Sequence, residues 1–288
     1  MQLYTSWATA QAVCDALLER RIERRMANQI DIWPGIRRLV APNPSAARAE
    51  GTNSYVVATP DGALIIDPGS ADSGHLGALM SAGPIEGILV THGHPDHSEG
   101  VAELARASGA PVYAFGGSEQ LGPLTDRPLQ NGDRVGPLEA IHTPGHAADH
   151  LCFALGEEAI FTGDVVMQWA TSFVPAVSGS MRAYLASLDV LLARPARVLL
   201  PGHGEPVAAP AERLRDLLDT RLRREQEILA ALHVPRTTED LVACLYSPSR
   251  QTTFRRLALQ TVAAHLIKLE EDGRASALPD GRWSLTAP

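Results

Sequence analysis

The chain has 288 residues, of which 45% are hydrophobic and 20% charged, and its net charge is −8. That is ordinary globular composition, enough for one large domain or a domain with a smaller partner. The acidic balance disfavours bulk binding to phosphate backbones, which takes concentrated positive charge; Lys268 is the only lysine, and the other cations are arginines.

In chain order, residues 6–30 read as an amphipathic helix, with Ala12, Ala16, Ile22 and Met26 among charged residues, inside an N-terminal extension over 1–34. Short β-like runs follow at 36–40, 54–58 and 63–66, punctuated by Asn, Gly, Pro and Asp. Strand and helix then alternate: strands at 85–90 and 111–115 around a helix at 101–108, strands at 138–142, 151–155 and 159–162, a helix at 181–193 and a last buried strand at 197–200. Such an order predicts an α/β chain with sheets covered by helices.

After Pro210 the character changes. Residues 211–232 read as a charged helix, and Thr237-Thr238-Glu239-Asp240 as a capping box opening a helix to Tyr246. Leu259, Val262, Leu266 and Leu269 share one face of a further helix that stops at Gly273, and Pro279-Asp280-Gly281 turns between two β-like runs. Helix, helix and hairpin outline a winged helix. The boundary is expected within 206–225, giving a domain at 35–210 and a linker helix with a winged-helix-like domain at 211–288.

Residues 91–97 read Thr-His-Gly-His-Pro-Asp-His and directly follow the apolar run at 85–90. His92 and His94, one residue apart, can address one point; Asp96 and His97 can address a second beside it. His146 lies in Thr-Pro-Gly-His, Asp164 in Thr-Gly-Asp and His203 in Pro-Gly-His-Gly, so a β run repeatedly ends in a glycine-bearing turn with a zinc-type ligand. A lone histidine is more often structural, and His75, His233 and His265 are read that way; four strand-end loops carrying His or Asp beside glycine are not.

This set, His-x-His-x-Asp-His followed by a spaced His, Asp and His, resembles the metallo-β-lactamase superfamily over roughly residues 35–207. The resemblance implies an αββα sandwich with two Zn2+ at one edge, Mn2+ or Fe2+ being the alternatives. One ion would be held by His92, His94 and His146, the other by Asp96, His97 and His203, with Asp164 bridging. Asp67 matches the family's first motif, which usually supports ligands, and His150 is either a support or substrate contact or a structural histidine. Asp164 and His97 together are the pattern of the thioesterase and nuclease branches. Ala41-Pro42-Asn43-Pro44-Ser45 and Gly51-Thr52-Asn53-Ser54-Tyr55, with the C-terminal winged helix, are similar to the lactamase-like-protein-2 group, which includes endoribonucleases and polyketide-carrier thioesterases. The loop 46–50 departs from that pattern and is expected to face the site.

The expected function is hydrolysis of a thioester or related ester by a metal-activated hydroxide, with Asp96 and Asp164 as catalytic carboxylates; cleavage of single-stranded RNA is the alternative. Trp169, Phe173 and Val174 are candidates for the acyl cleft or for the core. Residues 225–288 carry seven Lys/Arg and eight Asp/Glu, so the tail is expected to wall the cleft or mediate a homodimer rather than bind DNA, and Arg221, Arg223 and Arg224 read as a solvated helix face. Cys14, Cys152 and Cys244 are too scattered for a disulfide framework. With no apolar leader and no stretch near ~20 apolar residues, a cytoplasmic protein with no membrane partner is expected.

Overall fold

A computed structural model describes residues 29–286. The expected helix at 6–30 lies almost wholly outside these residues; its last two positions fall in a strand, β1 (Gln29–Trp33), which pairs antiparallel with β2 (Ile36–Val40). β3 (Asn53–Ala58) and β4 (Ala63–Ile66) continue the antiparallel run, and β5 (Ile85–Leu89), β6 (Val112–Phe115) and β7 (Arg127–Leu129) add in parallel, giving a seven-stranded sheet in chain order. A second sheet of five strands has the order β12-β11-β10-β9-β8, from β8 (Arg134–Val135), β9 (Leu138–His142), β10 (Leu151–Leu155), β11 (Ala159–Gly163) and β12 (Val198–Pro201).

The period-2 pattern sorts side chains between layers. Val57, Leu64, Ile66 and Leu89 face Leu138, Leu151, Phe153, Phe161 and Leu200 across the two sheets. Val56, Ile65 and Ile88 point the other way, onto α1 (Ser73–Met80) and α3 (Val101–Ser108), which follows the short α2 (Pro95–Ser98). On the far side Ile141, Cys152, Ile160 and Leu199 meet α4 (Met181–Leu192) and α5 (Pro210–Ala231). With both faces covered, the central strands read as continuous apolar runs, and the expected αββα sandwich is the architecture observed.

α1 is missing from the sequence reading. Gly74 and Gly77 lower its helix propensity and blur its period; Asp72 caps it, accepting from the His75 amide at 2.9 Å.

α5 spans the expected domain boundary. Leu214 and Leu217 pack on the second sheet's layer, whereas Ile228 joins the core of α6 (Thr238–Leu245), α7 (Pro248–Glu271) and the hairpin β13 (Ala275–Ala277) and β14 (Trp283–Leu285). Thr237 and Asp240 make both halves of the capping box. One sequence reading is corrected here. Arg223 is exposed, but Arg221 and Glu225 are buried at 5% and 2% exposure, on the same helix face as Leu214, Leu217 and Ile228. Counting charges hid a face set by helical spacing. Among the described residues no helix is long and apolar enough to cross a membrane.

Candidate metal centre

The strand ends bring the seven expected residues together. Beyond β5, Thr91 to His97 turn into α2, supplying His92, His94, Asp96 and His97 from the first sheet. His146 lies between β9 and β10, Asp164 directly after β11 and His203 after β12, all from the second sheet. Three groups of donor atoms converge: His92, His94 and His146; Asp96, His97 and His203; and His92, His97 and Asp164. Among the described residues His75, His233 and His265 belong to none of these groups; His75 Nε2 instead bonds Ser54 Oγ at 2.8 Å.

In the first group, His92 Nε2 and His146 Nε2 each lie 2.9 Å from His94 Nδ1. One proton cannot satisfy three nitrogens aimed at one point, but a cation among them can. Asp164 turns one oxygen to each group: Oδ2 is 3.5 Å from His146 Nε2, and Oδ1 is 3.3 Å from His97 Nε2 and 3.4 Å from His203 Nε2. His97 Nε2 and Asp164 Oδ1 are buried without a hydrogen-bond partner, the condition an absent cation leaves behind. The nitrogen and oxygen donors and their convergence fit two divalent ions such as zinc.

Outer partners fix the imidazole tautomers. Asp67 is the hub. Its Oδ1 accepts from the Thr91 amide at 2.7 Å, and its Oδ2 from Thr91 Oγ1 at 2.7 Å and His97 Nδ1 at 2.8 Å. Thr91 Oγ1, having donated to Asp67, accepts from His92 Nδ1 at 3.0 Å. His146 Nδ1 donates to the Phe173 carbonyl at 2.6 Å and His203 Nδ1 to the Gly51 carbonyl at 3.2 Å. His92, His97, His146 and His203 therefore all present Nε2 to the centre. His150 accepts from the Asp164 amide at 3.1 Å and shares a 3.0 Å bond with Thr143, so it holds the backbone of Asp164.

Electrostatics follow from the same contacts. Burial works against protonated His97, but Asp164 and Asp67 hold its pKa well above the usual imidazole value. Burial likewise opposes protonated His203, yet Asp164 and Asp96 raise it to about 9. His92 is pushed well below the usual value by burial and its neighbours His97 and His146. Burial would raise the Asp96 and Asp164 carboxyls, but His203 and His97 leave Asp96 at about 2 and Asp164 well below the ordinary range. The concentrated negative charge that retains protons on His97 and His203 is the charge that attracts metal ions.

The backbone at the site is tightly fitted. Gly163 has φ of +44°, and a Cβ there would stand 2.6 Å from His150 Nε2. Gly202 could not carry a Cβ without meeting His97 at 2.6 Å and Asp164 at 2.8 Å.

Several contributors went unrecognised in the sequence. Thr91 stands beside the histidine run without a ligand's chemistry. Asp149 accepts from the Gly93 amide at 3.0 Å and from Ser118 Oγ at 2.5 Å, pinning the His92–His94 turn; its place beside His150 was the available signal. Asn53 donates to the carbonyls of Pro201 and Gly204, fastening the β12 end that carries His203. The loop 46–50 does face the site: Arg48 Nε lies 3.6 Å from Asp96 Oδ2. Of the three cleft candidates, Val174 is in the core, Phe173 is half-buried, and Trp169, 45% exposed, lies beside Gly204.

The Metallo-beta-lactamase superfamily model matches residues 47–126 and 120–203, and the Beta-lactamase associated winged helix domain model matches residues 237–283. The chain is 30% identical over 271 residues to an atrochrysone carboxyl ACP thioesterase of Cryptosporiopsis sp., covering 85% of this chain and 82% of that protein. It is 29% identical over 264 residues to the beta-lactamase-like protein 2 homolog of Drosophila melanogaster, covering 82% and 88%. Among solved structures, a metallo-beta-lactamase family protein of Thermus thermophilus superposes with a TM-score of 0.71 at 25% identity, covering 88% of this chain and 99% of that one.

Proposed function

The chain belongs to the metallo-β-lactamase superfamily of hydrolases, and we propose that it is a dinuclear zinc enzyme that hydrolyses thioesters or related activated esters. In this reading His92, His94 and His146 hold one ion, Asp96, His97 and His203 hold the other, and Asp164 bridges them. The observation that carries it is the pair of donor groups spanned by the two oxygens of Asp164.

Two zinc ions held by these residues would supply a nucleophile near neutral pH and a Lewis acid for the carbonyl oxygen. The chain's own residues supply the rest. Asp164 sets the spacing of the two donor groups. Asp96, in the second donor group, is placed to accept a hydrogen bond from the attacking water and orient it. Water adds to the acyl carbon, the carbon–sulfur bond breaks, and the carboxylic acid and thiol are released. A thiolate, with a reference pKa of about 8.5, needs no acid to leave.

Trp169, whose ring lies against Gly204 beside His203, offers an apolar surface for an acyl chain. The thioesterase relatives favour an acyl substrate. RNA is disfavoured by charge: a strand needs several cations, and this chain is at −8. The test is kcat/KM of zinc-loaded protein on acyl-CoA and acyl-carrier thioesters beside single-stranded RNA cleavage in the same preparation. Thioester turnover lost in His94→Ala supports the reading. RNA cleavage lost in that variant, with no thioester turnover, replaces it with the nuclease reading.

A further inference from the structure

The segment between Asp164 and α4 has no helix or strand of its own, yet it carries the Phe173 carbonyl that accepts the His146 Nδ1 proton at 2.6 Å. Something must hold that carbonyl in place. Internal bonds fix one end: Ser172 Oγ and Tyr184 Oη both donate to the Val165 carbonyl, at 2.7 and 3.0 Å. At the far end the Ser180 amide donates to the Gly145 carbonyl at 2.9 Å, and the middle of the segment is fastened from the C-terminal part of the chain. Arg213 of α5 donates to the carbonyls of Met167 at 2.9 Å and Ala170 at 2.5 Å. Two turns along the same helix, Arg221 donates to the Ser172 carbonyl. Gln260 of α7 accepts from the Ala176 amide at 3.2 Å.

Arg221 is the informative member. It is buried at 5% exposure, and among the described residues no carboxylate lies within ion-pair distance of it. The Glu225 carboxylate one turn on is taken by Lys268 and Arg274. The compensation on view for the buried guanidinium is the Ser172 carbonyl and the face of Tyr184, 5.5 Å away, while its Nε has no partner. Burying a cation on those terms is costly, and an apolar side chain of similar length would pack there at less cost. The position is therefore poorly explained by packing and well explained by the peptide it grips, which adjoins the acceptor for His146.

We propose that Arg221, assisted by Arg213, is a positioning residue for the metal centre. By holding Ser172 it fixes the next carbonyl, Phe173, and so sets the tautomer and direction of His146. α5 and the winged-helix unit packed on its far end then act as a strut for one of the two ligand groups. The inference rests on the reading of His146 as a ligand.

The test is competition of the full-length zinc-loaded chain against a chromogenic chelator, with the melting temperature of the metal-free chain as control. Wild type is expected to hold two equivalents. Arg221→Met, which keeps the apolar stem and loses the donors, is expected to weaken one equivalent by about 10–100-fold, the usual effect of removing an outer partner, and to leave the other unchanged. Arg221→Lys, which restores one donor, is expected to recover part of the loss. Arg213→Met sits at a more open part of the helix and covers the case in which Arg221→Met does not fold; it is expected to weaken the same equivalent, to a smaller extent. A lowered melting temperature with both zinc affinities intact would overturn the proposal, since that is what a purely structural arginine gives. Fewer than two zinc equivalents in wild type would instead overturn the metal-centre reading, and this inference with it.

Discussion

Replacing Asp67 with asparagine keeps the size of the side chain and suits the left-handed backbone there, where φ is 52°. It removes the charge that three donors share. However the amide turns, its NH2 group faces a donor: the Thr91 N–H in one orientation, Thr91 Oγ1 and His97 Nδ1 in the other. A hydrogen bond to a charged group contributes about 1.5–3 kcal/mol, which at about 1.36 kcal/mol per tenfold corresponds to roughly 10–100-fold in zinc affinity. The loss should fall on the group containing His97, whose Nδ1 proton Asp67 accepts. Thr91→Val removes the arm to His92, a neutral bond of about 0.5–1.5 kcal/mol, together with the Thr91 Oγ1 bond to Asp67, but leaves the Asp67–His97 bond in place, so the group containing His92 and His94 should weaken most, by about tenfold. Chelator competition resolves the two equivalents. Asp67→Asn protein that folds and binds both zinc ions with wild-type affinity would refute the argument that Asp67 orients the ligands.

Asp164→Ala should abolish turnover while leaving most of the fold, because metal spacing of about 3.5–4 Å depends on the bridge; wild-type turnover with both ions bound would contradict the bridging role. His265 is fully buried with both ring nitrogens unpartnered, and burial, then Arg221, Arg224 and Lys268, lower its pKa to about 3. Its folded value lies below the unfolded one, so the cost of its titration is absent above about pH 6.5 and grows as pH falls towards 3, reaching about 2 kcal/mol at pH 5, while the unpartnered ring nitrogens cost stability at every pH. His265→Leu should raise the melting temperature by about 2–4 °C at neutral pH and flatten the acid limb, both read by thermal melts across pH. The full-length chain should show no micromolar, steeply salt-dependent affinity for random duplex DNA, since residues 225–288 carry seven Lys/Arg against eight Asp/Glu; a salt titration checks this.

The convergence of the seven proposed ligands was legible because each donor sits where an apolar run meets a glycine turn, and strand ends are rigid enough for local sequence to fix them. The same rule gave the limits of β2, β4, β9 and β10. Of the groups that support the donors, Asp67 was legible from the family resemblance and His150 was weighed as a support; the others were not legible. Thr91, Asp149 and Asn53 act through contacts set by tertiary packing, and the partners of His146 and His203 are backbone carbonyls, which every residue has. Arg221 was misread because a cation beside other cations looks solvated until its helical neighbours Leu214, Leu217 and Ile228 are seen to share its buried face.

Each of the two three-residue groups proposed to hold an ion draws from both sheets: His92 and His94 with His146, and Asp96 and His97 with His203. A bound ion is then a rivet through the two layers, and cation supply becomes a stability variable of the whole fold. An ion at 100 times its dissociation constant adds about 2.7 kcal/mol against unfolding. Starving the protein of metal would then loosen the seam between the sheets before it disturbed either sheet alone, so the site proposed to perform the chemistry would also report on whether the sandwich is closed.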